Sequence, residues 1–244
     1  MGSMFLKGTA VAAALALSAG VASATTINPQ NTSGTVNAIF DDGGFEHVRV
    51  REGTTERRVR AGGFRVDEES VGNFIAWCAN LATTLSLPSE YTKRTLEEAI
   101  SDQQIVNRIH ALFNFALPTL DVSNTAAGKA DSAGFQMALW NILYDDNFTV
   151  DNIAGSNFAF ISGSGVAEDA KARANAFLAG VQANENEETR YYTLTFWEAA
   201  TDKYGRPLSQ DLISAAPIPL PAAAWMLIAA LGAAAAVSRR RRDT

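Results

Sequence analysis

Cysteine occurs once in the 244 residues, at Cys78, and histidine twice, at His47 and His110. A lone cysteine excludes an internal disulfide, and two separated histidines with one thiol fall short of a zinc ligand set. No glycine loop that would cradle phosphate, no dinucleotide fingerprint and no nucleophile elbow occurs. Basic charge is scarce where it would matter for nucleic acid. Residues 25–216 carry 15 Lys and Arg against 25 Asp and Glu, so the whole-chain charge of −6 conceals a middle at −10. Affinity for phosphate chains comes mainly from cations, so this balance argues against a nucleic-acid partner. Long apolar runs are absent from the middle and present at both ends.

At the start, Lys7, the apolar stretch Thr9 to Leu17 and the small residues Ala22-Ser23-Ala24 follow one another. Charge, short apolar run and small-residue cleavage site are the order of a secretory signal peptide, so residues 1–24 are expected to be removed and the mature chain to begin at Thr25. At the other end, residues 217–244 read Pro217-Ile218-Pro219-Leu220-Pro221-Ala222, then an Ala-rich apolar segment to Val237, then Arg239 to Arg242. About 18 apolar residues just span a hydrocarbon core, with the arginines held on the inner side. Motif, span and basic cluster together resemble PEP-CTERM sorting signals, in the variant named for Val-Pro-Leu-Pro-Ala. Ile218 replaces the valine; Pro219, Leu220, Pro221 and Ala222 match. The resemblance implies an exosortase-type sorting enzyme as partner, transient anchoring in the inner membrane, and delivery to the surface of a Gram-negative cell. A plain retained anchor is the alternative. Residues 25–216 face outward either way.

Between these ends, Thr35 to Phe40, Glu46 to Arg51 and Glu56 to Val66 alternate apolar with polar residues and predict short strands. Ala61-Gly62-Gly63-Phe64 breaks the third run as a bulge or a close backbone approach would. Val71 to Leu81 reads as a buried strand, Arg190 to Trp197 and Leu208 to Ser214 as later ones. Helical spacing predicts helices over Thr95 to Leu117, from Asp131-Ser132 onward with Phe135, Leu139, Ile142 and Leu143 on one face, and from Val166 to Val181. Strands and helices are segregated. This predicts an α+β domain, an antiparallel sheet or sandwich with about three helices.

Cys78 admits four readings on its own: a small buried hydrophobe, an intermolecular disulfide, a catalytic thiol, or an acyl acceptor. Phe135-Gln136-Met137-Ala138-Leu139-Trp140 resembles the Thr-Gln-X-Ala-X-Trp motif of thioester domains in bacterial surface proteins, and Trp77-Cys78-Ala79-Asn80-Leu81 resembles their cysteine segment. Phe135 stands where those adhesins usually carry threonine. The variant with phenylalanine, and a late Gln-Asp pair matched by Gln210-Asp211, is similar to thioester-like domains of PEP-CTERM proteins. The resemblance implies a Cys78–Gln136 cross-link with Trp140 and Asp211 in support, no cofactor and no metal. It implies one covalent event per molecule, hence adhesion or matrix attachment to a surface ligand or exopolysaccharide and not an enzyme. Such chemistry needs proximity, for which an oriented pair gains about 7 to 11 kcal/mol. With 57 residues between Cys78 and Gln136, only the tertiary fold can supply it. A helix beginning near Asp131 would put Gln136 about one turn in, where free N–H groups could stabilise an oxyanion. Trp140, four residues on, would share its face and shield the bond from water.

A phenylalanine, leucine and tryptophan pattern at helical spacing is also ordinary core, with Gln136 a hydrogen-bonded polar residue. A non-covalent matrix protein lacking the bond is therefore the alternative, and a secreted thiol hydrolase a third reading. Asp41-Asp42-Gly43-Gly44 makes a turn more readily than a calcium loop. Arg49, Arg51, Arg57, Arg58, Arg60 and Arg65 concentrate in the first hairpin and its continuation, where they form either a solvated face or a patch for an acidic polysaccharide.

Overall fold

The computed structural model describes the backbone of residues 33–40 and residues 44–218 in full. The expected signal peptide, Asp41 to Gly43 of the proposed turn, the motif Pro219-Leu220-Pro221-Ala222 and the apolar segment after it lie outside the described residues. Among the described residues, no helix is long and apolar enough to cross a membrane.

Among the described residues, two antiparallel sheets and four α-helices make up the domain, α+β as expected. Its nine strands are β1 (Ser33–Phe40), β2 (Phe45–Glu52), β3 (Thr55–Gly62), β4 (Phe64–Glu68), β5 (Gly72–Cys78), β6 (Ser89–Thr95), β7 (Phe158–Gly163), β8 (Tyr192–Ala199) and β9 (Leu212–Pro217). Six of them close into a barrel in the order β1-β4-β5-β9-β8-β6, while β3-β2-β7 form a separate sheet. The expected sheet or sandwich is thus a barrel with a sheet beside it. Closure removes the exposed edges of the six, whereas the three-stranded sheet keeps its own.

The run Glu56 to Val66 divides between the two sheets at the glycines. Gly62 takes φ +147°, and a Cβ on Gly63 would lie 2.8 Å from Ile75 Cγ2 and 3.1 Å from the Trp77 indole nitrogen. Only glycine allows this turn and approach. The Gly63 N–H then donates to Ser132 Oγ at 2.8 Å, tying the crossover to the central helix.

Helices are α1 (Leu96–Ala99), α2 (Gln103–Ala116), α3 (Ala126–Tyr144) and α4 (Gly165–Asn184). The single helix expected over Thr95 to Leu117 is two. Thr95 ends β6 and caps α1 through a reciprocal bond with Glu98, and Asp102 caps α2 by accepting from the N–H groups of Gln104 and Ile105. Polar Ser101-Asp102 thus restarts the helix. A larger correction concerns α3. Its cap is Thr125, whose hydroxyl accepts from the Gly128 N–H. Asp131 and Ser132 lie inside the helix as tertiary partners, Asp131 of Arg173 at 2.9 Å and Ser132 of Gly63. Helix α3 is also buried on every side and not along one stripe, from Ser132 through Ile142, as a helix at the centre of a domain must be. Gly134 lets α4 approach, since a Cβ there would meet Arg173 Cβ at 2.6 Å and the Ala170 carbonyl at 2.8 Å.

Candidate functional site

Cys78 is the last residue of β5, paired with Leu212 on β9. The ladder runs one bond further, from the Ala79 N–H to the Asp211 carbonyl at 2.8 Å. Gln136 projects from the middle of α3. Immediately before each stands an aromatic, and these two pack together: Trp77 and Phe135 have ring centroids 4.8 Å apart, with Phe113 edge-on to both at 5.5 and 5.0 Å. Such a cluster adds about 0.5–1.5 kcal/mol per pair beyond its area, and it fixes strand end against helix. Phe135, where adhesin motifs carry threonine, is an anchor of this register.

The chain ends up with Cys78 and Gln136 in direct contact. The Cys78 N–H donates to Gln136 Oε1 and Gln136 Nε2 donates to the Cys78 carbonyl, both at 2.9 Å. Two parallel bonds hold the side-chain amide flat against the cysteine peptide, with 1% of Cys78 and none of Gln136 exposed. The expected oxyanion donor is corrected here. Because α3 begins at Ala126, Gln136 lies nearly three turns from the helix start, beyond the reach of the terminal N–H groups. The donor on Gln136 Oε1 is the Cys78 backbone N–H.

The thiol faces a second glutamine. Cys78 Sγ donates to Gln210 Oε1 at 2.8 Å, and Gln210 Nε2 donates to the Asn80 carbonyl at 2.6 Å. Burial pushes the Cys78 thiol far above its ordinary range, so it stays protonated at neutral pH. Tyr91, pushed by burial up to about 12, keeps its proton and donates to the Gln210 carbonyl at 3.0 Å. Asp211 spans the neighbouring strands: its carboxylate accepts from Asn80 Nδ2 at 2.9 Å and from the Ala199 N–H at 2.8 Å. Burial raises its pKa above the ordinary value, against those two bonds. Gln210 matched the motif pair in the sequence without a role; the hydrogen bond from the thiol gives it one. Tyr144, which accepts from the Leu81 N–H at 3.0 Å, carried no sequence signal.

Trp140 is 1% exposed, and its indole N–H meets no acceptor among the described residues. It forms part of the lining of a cleft of about 630 Å³, together with Gln210, Leu81 to Leu85 and the strand residues Arg57 to Arg60. The cleft thus reaches Gln210, whose Oε1 accepts from the Cys78 thiol, and Trp140, one turn beyond Gln136 on α3. His47 also lines the cleft, while His110 is buried on α2 beside Glu97. Burial and the Arg190 cation push His110 down to about 4, only partly opposed by Glu97. Neither histidine is hydrogen-bonded to Cys78. Among the described residues no cluster of His, Cys, Asp or Glu could hold a metal ion.

No protein-family model matches the chain, and no curated protein does. Its fold is similar to solved structures. The N-terminal domain of the Streptococcus pyogenes pilus tip adhesin Cpa shares 15% identity at a TM-score of 0.38, over 78% of this chain and 99% of that one. The thioester domain of the Staphylococcus aureus TIE protein shares 13% at 0.43, over 78% and 80%. The N-terminal thioester domain of the fibronectin-binding protein SfbI from Streptococcus pyogenes shares 15% at 0.38, over 78% and 99%. These likenesses are distant, at 13–15% identity.

Proposed function

We propose that Cys78 and Gln136 form an internal thioester, and that the domain uses it once to attach covalently to a partner outside the cell. The observation that carries this reading is the reciprocal pair of 2.9 Å hydrogen bonds between the Cys78 peptide and the Gln136 amide. A glutamine satisfied by its own helix would not need them. Formation is balanced without a cofactor. Sγ bonds to the Gln136 side-chain carbonyl carbon, the C–N bond breaks, and the thiol proton leaves with the nitrogen as ammonia. The Cys78 N–H, already on Oε1, stabilises the charge that develops there. Discharge reverses the exchange: an incoming amine forms an amide to the same carbon, the C–S bond breaks, and the amine's proton passes to sulfur.

Burial serves storage. A thioester hydrolyses in water, and the aromatic cluster with Trp140 keeps this carbon dry while the cleft gives a partner its approach. One turnover consumes the bond, so the domain is an attachment device and not an enzyme. Export by residues 1–24 and surface sorting by residues 217–244, with an exosortase-type enzyme and transient inner-membrane anchoring, belong to the same proposal. The test is labelling with a fluorescent primary amine followed by peptide mapping. Label on Gln136, with a new free thiol at Cys78 and none in Cys78→Ala, supports the reading. Absence of label from freshly prepared protein favours the non-covalent surface protein.

A further inference from the structure

Six of the fifteen cations in residues 25–216 fall between Arg49 and Arg65, and three of them, Arg57, Arg58 and Arg60, line the cleft beside Trp140 and Gln210. Among the described residues no carboxylate lines it, although Glu52 pairs with Arg57 at 3.2 Å. A basic cleft in a domain of net charge −10 is a local reversal of sign, and concave walls focus its field. The way the strand meets the cleft is equally specific. Successive side chains of a strand point to opposite faces, yet four consecutive residues, Arg57-Arg58-Val59-Arg60, all line this space. The cleft therefore runs along the edge of β3. Among the described residues β3 pairs only with β2, so its second edge carries no strand. Four residues of edge present about 13 Å of backbone donors and acceptors. Trp140, also in the lining, has a buried indole N–H with no acceptor among the described residues.

From these observations we infer that the cleft is the docking site of an extended acidic polypeptide, which adds as a strand to the open edge of β3 and brings a nucleophilic side chain to the Cys78–Gln136 pair. The last clause rests on the thioester reading; the docking does not. A free strand edge recognises main-chain amides, which polysaccharides lack, and the arginines select acidic side chains on the added strand. The same arginines disfavour a second copy of β3, because like charges would meet across the new ladder. Val59, Phe64, Leu81 and Leu85 in the lining give alternate side chains an apolar seat.

The test uses the full-length chain in detergent carrying Cys78→Ala, so that binding is read without covalent capture. The probe is a fluorescent, N-acetylated, lysine-free peptide of alternating glutamate and valine. Its companion has alternate backbone nitrogens methylated. Saturable binding is expected, weakened about tenfold by Arg57→Gln with Arg58→Gln and at least as far by N-methylation of the peptide. No binding, or equal binding of the N-methylated peptide, overturns the inference; so does binding of a uronic acid polymer in place of the peptide. Should the double variant melt early, the two peptides on the unaltered cleft still decide. The two readings fail separately. Peptide bound by Cys78→Ala with no methylamine uptake by the wild-type chain sinks the thioester alone, and methylamine uptake without peptide binding sinks the docking alone.

Discussion

Helix α3 and strand β3 border one cleft, yet α3 is neutral and buried while β3 is basic and largely exposed. Gln136 and Trp140 sit among residues with no exposure, and Arg58 and Arg60 stand in solvent. The difference teaches that, under the proposed function, storing a reactive bond and choosing what meets it call for opposite environments. On the proposed function the bonded carbon needs exclusion of water, and the rings of Trp77, Phe113 and Phe135 pack beside the Cys78 strand end and Gln136 helix. A recognition surface needs exposed charge, which costs the fold little. Variants should therefore separate the two regions.

The largest effect belongs to the pair itself. Cys78→Ala and Gln136→Ala should each abolish amine labelling completely, whereas Arg58→Gln should leave methylamine uptake intact; equal loss in all three would erase the distinction between storage and recognition. Trp140→Ala comes next. Truncating a fully buried tryptophan costs about 3–5 kcal/mol, so chemical denaturation should show a loss of that order. In protein that still folds, free thiol at Cys78 should accumulate faster in amine-free buffer, and an unchanged rate would remove Trp140 from the shielding role.

The third expectation concerns pH. His110 is held near 4 against an ordinary 6.5, so the unfolded chain takes up the proton first. Stability is intact above pH 6.5 and falls as pH drops toward 4, by up to about 3 kcal/mol at the limit. Glu68 acts in the same direction lower down: burial opposes its charge, but Lys93 at 2.8 Å and Ser70 outweigh it and pull its pKa below 4.5. Its contribution is present above 4.5 and lost below. His110→Gln should flatten the profile between pH 6.5 and 4 in thermal melts, leaving the lower limb. Asp211→Ala removes the acceptor of two hydrogen bonds and should cost about 2 kcal/mol. It should also slow amine uptake if the placement of Asn80 and β9 matters to the pair. The smallest change is Arg58→Gln, within about 0.5 kcal/mol of wild-type stability.

Much of the site was legible in short motifs, and the geometry beneath it was not. Trp77-Cys78 and Phe135-Gln136 stood out as words before any contact between them was known. Asp131-Ser132 misled because a cap and a tertiary partner use the same residue types; Arg173 and Gly63, distant in sequence, decide between them. That single displacement moved Gln136 from the helix start to its middle, where the Cys78 N–H, and not a helix-terminal one, bonds its Oε1. Barrel closure was hidden for a related reason. β1 pairs with β4 and β6, and alternation along a strand says which face is buried but not which strand lies alongside. The glycine break before Phe64 was visible, since Gly62 and Gly63 act through local backbone sterics. Gln210 was visible only as half of a motif, because a glutamine's role depends on which atom it faces, here the Cys78 sulfur.

The most direct measurement is the intact mass of the full-length chain, purified quickly without amines, beside Cys78→Ala and Gln136→Ala chains prepared alike. The wild type alone should fall short of its sequence mass by about 17 Da, the ammonia lost on acylation, and should gain about 31 Da with methylamine. Full mass in fresh protein, with Cys78 titrating as a free thiol on denaturation and no gain with methylamine, would contradict the proposed thioester.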